Sequence, residues 1–95
     1  MLLDDVKVAM RIRTEAFDGE LLDLIGAAQA DLELSGVDPD KAQDTEDPLI
    51  KRAVITYVKA HFGWDNPDHD RLLRAYDMLK AHLTLSQEYR AGDDT

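Results

Sequence analysis

The 95-residue sequence contains no cysteine, which excludes disulfides, thiolate zinc sites and cysteine nucleophiles. Glycine is sparse, at five residues, and none stands in a phosphate-cradling or dinucleotide-binding pattern. No apolar run approaches membrane-spanning length, and the opening MLLDDVKVAM has acids where a signal peptide carries a basic flank. Basic residues are outnumbered 11 to 20, for a formal net charge of -9. A free DNA-binding module of this size normally has a basic surface, because phosphate neutralisation supplies much of its affinity. The acidity serves either solubility or an assembly in which acidic faces line or repel something.

What is present is enough apolar material for one core, with 44% of residues counted as hydrophobic, so the chain is read as a single domain over residues 1–95. The organising stretch is PLIKRAVITYVKAHF, residues 48–62. Its apolar residues are too many for a surface helix and no glycine or proline interrupts them, which predicts a central helix covered on most sides. Asp47 before Pro48 opens it, the acid as cap and the proline at the first helical position.

Around this rod the pattern predicts an all-α bundle of about four helices, one short and three longer, with a long loop between the second and third. A short helix is expected over residues 1–13, capped by Asp4 and stapled by Leu3 on Val8. A second is expected from an Asp18 cap to Ser35, with Leu21, Leu24, Ile25, Ala28 and Leu32 as its buried stripe. Gly26, Ala27 and Ala30 share an adjoining face, suited to a closely approaching helix or chosen for helix propensity alone. Ser35-Gly36-Val37 is a stop signal, and the acidic residues 38–47 read as an exposed loop with room for one irregular turn. Asn66-Pro67 repeats the cap-plus-proline device before a last helix marked by Leu72, Tyr76, Leu79 and Leu83, which has no signal to stop before Leu85. Trp64 either locks its connector onto the core or anchors an interface, and residues 90–95 are expected to be a flexible tail unless a neighbour holds them.

Catalytic chemistry finds no support. His61, His69 and His82 lack the helical pairing of a metal site, Ser35 and Ser86 lack a nucleophile-elbow context, and residues 38–47 lack calcium-loop spacing. No catalytic, cofactor or metal residues are therefore expected, and the chain is read as no enzyme. Arg11, Arg13, Lys51, Arg52 and Lys59 form a loose basic group, either a solvated face or a contact for an acidic partner.

The order of motifs carries a resemblance. LDDVKVAMRI, FDGELLDLI, AAQADLELSG, DPLIKRAVITYVKAHFGWDNPD and YDMLKAHLTLSQEYR follow one another from Leu3 to Arg90. In that order they resemble the small head-tail connector, or DNA-packaging adaptor, proteins of long-tailed phages and prophages. The resemblance implies a virion protein of the head-tail junction, present in the host cytoplasm during assembly. It implies a homo-oligomeric ring of about 12 subunits beneath the portal protein, a docking surface for the next head-completion or tail protein, and DNA passing through without specific binding. No membrane partner is implied. On this reading Gly26, Ala27, Ala30 and Trp64 are candidate subunit contacts. Asp38, Asp40, Asp44, Tyr89 and Arg90 are candidates for a neighbour or the portal. Two alternatives stand beside it: a terminase-like nucleic-acid-binding accessory, which the charge opposes, and a small helical regulator that binds one protein.

Overall fold

The computed structural model describes residues 2–63 and 65–92. Five helices follow in order: α1 (Leu2–Met10), α2 (Asp18–Ser35), α3 (Pro39–Ala42), α4 (Pro48–His61) and α5 (His69–Leu85). Among the described residues there is no strand, only an isolated bridge between Val37 and Arg90. The architecture is the expected all-α bundle, with principal extents of 46 × 26 × 18 Å.

The apolar stretch at residues 48–62 becomes the hub, since α4 packs on α1, α2 and α5. The Asp47 carboxylate accepts the amides of Leu49 and Ile50 at 2.9 and 3.1 Å, and Pro48 occupies the first turn. Ile50, Ala53, Val54, Val58 and Ala60 are buried from different sides. At the other end, Asn66 Nδ2 donates to the Lys59 carbonyl at 2.6 Å, meeting an acceptor that the helix leaves unpaired. Asn66 therefore closes α4, and α5 begins only at His69, two residues beyond the expected Pro67 start. Trp64 lies outside the described residues.

Helix α2 buries Leu21, Ile25, Ala28 and Leu32, and ends where the glycine predicts. Gly36 takes φ 116°; its amide reaches the Glu33 carbonyl and the Val37 amide reaches Leu32 at 2.9 Å, paired bonds that turn Val37 back into the core. Helix α1 ends with the same pair of bonds, Arg11 to Val8 and Ile12 to Lys7, but with an arginine at φ 60°. A non-glycine residue there costs about 1 kcal/mol.

Helix α1 buries Leu2 and Val6 and is tied down by Lys7 to Asp18 at 2.7 Å and Asp5 to Lys51 at 3.2 Å. Three expectations change here. Asp4 lies inside the helix, in its first turn, and so does not cap it. Val8 is 78% exposed, so the staple with Leu3 does not form. Asp18 is the first helical residue of α2 and not its cap, which falls on Phe17, and its carboxylate is engaged by Lys7.

Helix α5 contributes Tyr76 and Leu83 to the core. The Tyr76 hydroxyl donates to Asp31 Oδ2 at 2.6 Å, and Lys80 Nζ reaches the same oxygen at 3.0 Å, fastening α5 to α2. Burial alone would raise the Asp31 carboxyl, but the two hydrogen bonds and the Lys80 charge outweigh it and hold it below its usual value.

Candidate functional site

The loop expected over residues 38–47 and the expected flexible tail form one structure. Asp38 accepts the Asp40 amide at 2.9 Å and caps α3, using the same cap-plus-proline device as α4. The Asp38 amide in turn donates to the Tyr89 carbonyl at 2.8 Å, and the Ala91 amide donates to Gly36 at 2.7 Å. Tyr89 is 7% exposed, and its hydroxyl donates to the Asp47 carboxylate at 2.9 Å. Asp47 thus caps α4 and anchors the chain's end together. Burial and then the Asp47 hydrogen bond push the Tyr89 hydroxyl up to about 12. Lys41 lies over the Tyr89 ring at 5.3 Å.

This clasp explains why α5 stops at Leu85: residues 86–89 turn back, with the Tyr89 amide on the Ser86 carbonyl at 3.1 Å, to bring Tyr89 beneath the loop. Arg90 and Ala91, placed in the expected tail, are held in this way, while residues 93–95 lie outside the described residues. Of the candidate contacts there, Asp40 and Arg90 are exposed. Asp38 and Asp44 are half-buried and occupied with local backbone amides, and the Tyr89 ring is used inside the subunit.

The second candidate group is separate. Gly26, Ala27 and Ala30 are all exposed on the side of α2 opposite its buried stripe. The same side carries Leu22, 45% exposed, and Leu34, 87% exposed. Leu22, Gly26, Ala30 and Leu34 recur every four residues, a ridge about 18 Å long with a leucine at each end and small residues between. Sequence reasoning found the small residues and missed the leucines; the signal was the period of four, hidden because leucines occupy both sides of the helix.

A shallow groove runs between α4 and α5, lined by Arg52, Thr56, Ala75, Met78, Leu79 and His82. Met78 is 65% exposed in it. Charge divides the helices. Helix α2 has five acids, Asp18, Glu20, Asp23, Asp31 and Glu33, and no base. Helix α4 has Lys51, Arg52 and Lys59 and no acid. Among the described residues, Glu20, Asp23, Arg52 and Lys59 make no ion pair. The basic group proposed from sequence is accordingly split, with Lys51 used to hold α1 and Arg52 left at the groove.

The histidines make no catalytic array. His69 Nδ1 donates to the Ala60 carbonyl at 2.6 Å, and the His61 ring rests edge-on against it at 5.6 Å. Burial and the neighbouring His69 push the His61 imidazole down from its usual value. Among the described residues no group of three or more histidines and acids is placed to hold a metal, and no helix is long and apolar enough to cross a membrane.

Against known proteins, residues 2–90 match the family model described as phage connector protein. The match extends from the first described residue to Arg90 in the clasp, taking in every helix. No curated protein and no solved structure matches the chain.

Proposed function

The chain belongs to the phage connector family, and from that premise we propose that it is a structural subunit of the virion that closes into a ring around the DNA exit channel and joins the portal to the tail. The observation that carries this reading is the family match over residues 2–90. It has physical support in apolar side chains that the subunit leaves outside its own core, notably Leu22, Leu34 and Met78. A ring repeats one contact between two different faces of each subunit. The ridge around Gly26, Ala27 and Ala30 serves as one of them. The clasp end, with Asp40 and Arg90 exposed, serves the portal or an adjoining subunit.

The net charge of -9 fits a channel through which DNA must slide, because a basic lining would bind phosphates and hold the genome back. The ring forms in the host cytoplasm and remains at the head-tail junction of the finished particle.

Native mass spectrometry of the purified chain, alone and mixed with the portal protein encoded beside it, tests the reading. A closed ring of about 12 subunits, or stoichiometric capture by the portal, is the expected result. A persistent monomer with no affinity for the portal would overturn it. Ala27→Arg is expected to abolish assembly while circular dichroism stays that of the wild type.

A further inference from the structure

Taking the ring as the premise, we infer that the outward ridge of α2 in one subunit seats in the α4–α5 groove of the next, with Asp23 facing Arg52. The ridge presents two exposed leucines, Leu22 and Leu34, with small residues between them that let a neighbouring backbone approach closely. The groove presents a half-apolar floor formed by Ala75, Met78 and Leu79, with Arg52 at its rim. Both surfaces are incomplete in the isolated subunit, and they lie on different helices, as a repeating head-to-tail contact requires.

Charge selects this pairing over the symmetric ones. Two α2 ridges face to face would bring Glu20 and Asp23 against copies of themselves, and α2 has no basic residue to offset them. Two grooves face to face would oppose Arg52 to Arg52 beside Lys59, on a helix with no acid. Ridge into groove places unpaired acids against unpaired cations, and like-charge juxtaposition disfavours the other two arrangements. The partner is therefore a second copy of this chain in a heterologous orientation.

The absence of native cysteine makes the test direct. Ala30→Cys marks the ridge and Ala75→Cys the groove; both positions are exposed, so neither change disturbs the core. With a short bismaleimide, and with portal present if the wild type requires it, the two single variants mixed together are expected to give a crosslinked heterodimer. Each alone is expected to give none, and a chain carrying both cysteines is expected to give a ladder. Homodimers from Ala30→Cys alone, or no crosslinks under conditions where the wild type assembles, would overturn the pairing. A ladder that runs on without closing at a fixed size would uphold the contact and remove the ring. If the wild type never assembles and the mixture never crosslinks, both readings fall.

Charge reversal supplies a second arm. Asp23→Lys and Arg52→Glu are each expected to lose the assembly that the wild type shows, whereas mixing the two variants, or combining both changes in one chain, restores it. Failure of both rescues, with circular dichroism unchanged, would remove the proposed Asp23–Arg52 pairing.

Discussion

Leu21 and Leu22 are neighbours in the chain and have opposite surroundings: Leu21 is fully buried against the core, whereas Leu22 is 45% exposed. The contrast recurs at the other end of α2, where Leu32 is fully buried and Leu34 is 87% exposed. Helix α4 has one such pair, in its first turn, where Ile50 is fully buried and Leu49 is 46% exposed, and none beyond it. Its apolar residues serve three neighbouring helices, and its outward side is largely left to Lys51, Arg52, Thr56 and Lys59. Past that first turn, folding of the single subunit accounts for the composition of α4, and for only half that of α2. Apolar area exposed without a role in folding is what an assembly surface requires.

The sharpest way to break this comparison is to place the same charge at the two adjacent positions. Leu21→Asp buries a carboxylate with no partner and is expected to cost on the order of 4 kcal/mol, a large share of the roughly 5–15 kcal/mol that holds a domain of this kind folded. Leu22→Asp is expected to shift the urea midpoint by less than about 0.5 kcal/mol equivalent. Comparable losses from the two would mean that the outward side of α2 is part of the fold after all.

Next in size is the stop that separates α2 from the clasp. Gly36→Ala meets only ordinary contact, 3.9 Å to a Thr84 methyl, so its cost is backbone strain at φ 116°, roughly 1–2 kcal/mol in thermal or urea unfolding. The reverse change in α1 sharpens the point. Arg11→Gly relieves the same kind of strain at φ 60° and is expected to stabilise by about 0.5 kcal/mol, the added freedom of the unfolded glycine offsetting part of the gain.

The clasp itself adds a pH-dependent term. The Tyr89 hydroxyl is pushed up to about 12 in the folded chain, against about 10 when unfolded. A raised value means that the folded state retains the proton longer. The stabilisation is therefore fully present below pH 10 and is lost as pH rises towards 12. Tyr89→Phe is expected to cost about 1 kcal/mol at neutral pH and to make the alkaline limb of stability shallower, as measured by urea midpoints across that range. The rest of that limb rests with Tyr76, whose hydroxyl is also pushed up by burial and its bond to Asp31. An unchanged alkaline limb would show that folding does not hold the Tyr89 hydroxyl protonated.

Most of the helical framework was legible because its signals are local. Asp47-Pro48, Gly36-Val37 and the leucine spacing of α2 each fix a nearby backbone by steric and hydrogen-bonding rules that hold wherever they occur. The same reading allowed no more than an irregular turn where α3 stands, although Asp38-Pro39 repeats the device of Asp47-Pro48, because only four helical residues follow and no apolar period marks them. The Tyr89 clasp was beyond local rules: its partner Asp47 lies 42 residues away in the chain. For the same reason Arg90 and Ala91 read as part of a free tail, and the acids of residues 38–47 as a free loop, when each segment holds the other. The exposed ridge of α2 was half legible. Small residues stood out in sequence, but an outward leucine cannot be told from an inward one until the opposite side of the helix is known to be buried.

The smallest expected effect on folding is the most informative about function. Leu34 is 87% exposed and follows the buried Leu32 by two residues, so Leu34→Ser leaves the core as it was. Its monomer stability is expected to stay within about 0.5 kcal/mol of the wild type. In the proposed assembly the same side chain closes one end of the ridge that enters a neighbour's groove, and a truncated apolar anchor at an interface typically costs on the order of 2 kcal/mol per contact. That loss recurs at every junction of a ring, so a change invisible in urea unfolding is expected to shift native mass spectra from closed rings to monomers. Retention of rings by Leu34→Ser would confine the contact to the Leu22 end of α2, and loss of monomer stability instead would return Leu34 to the fold.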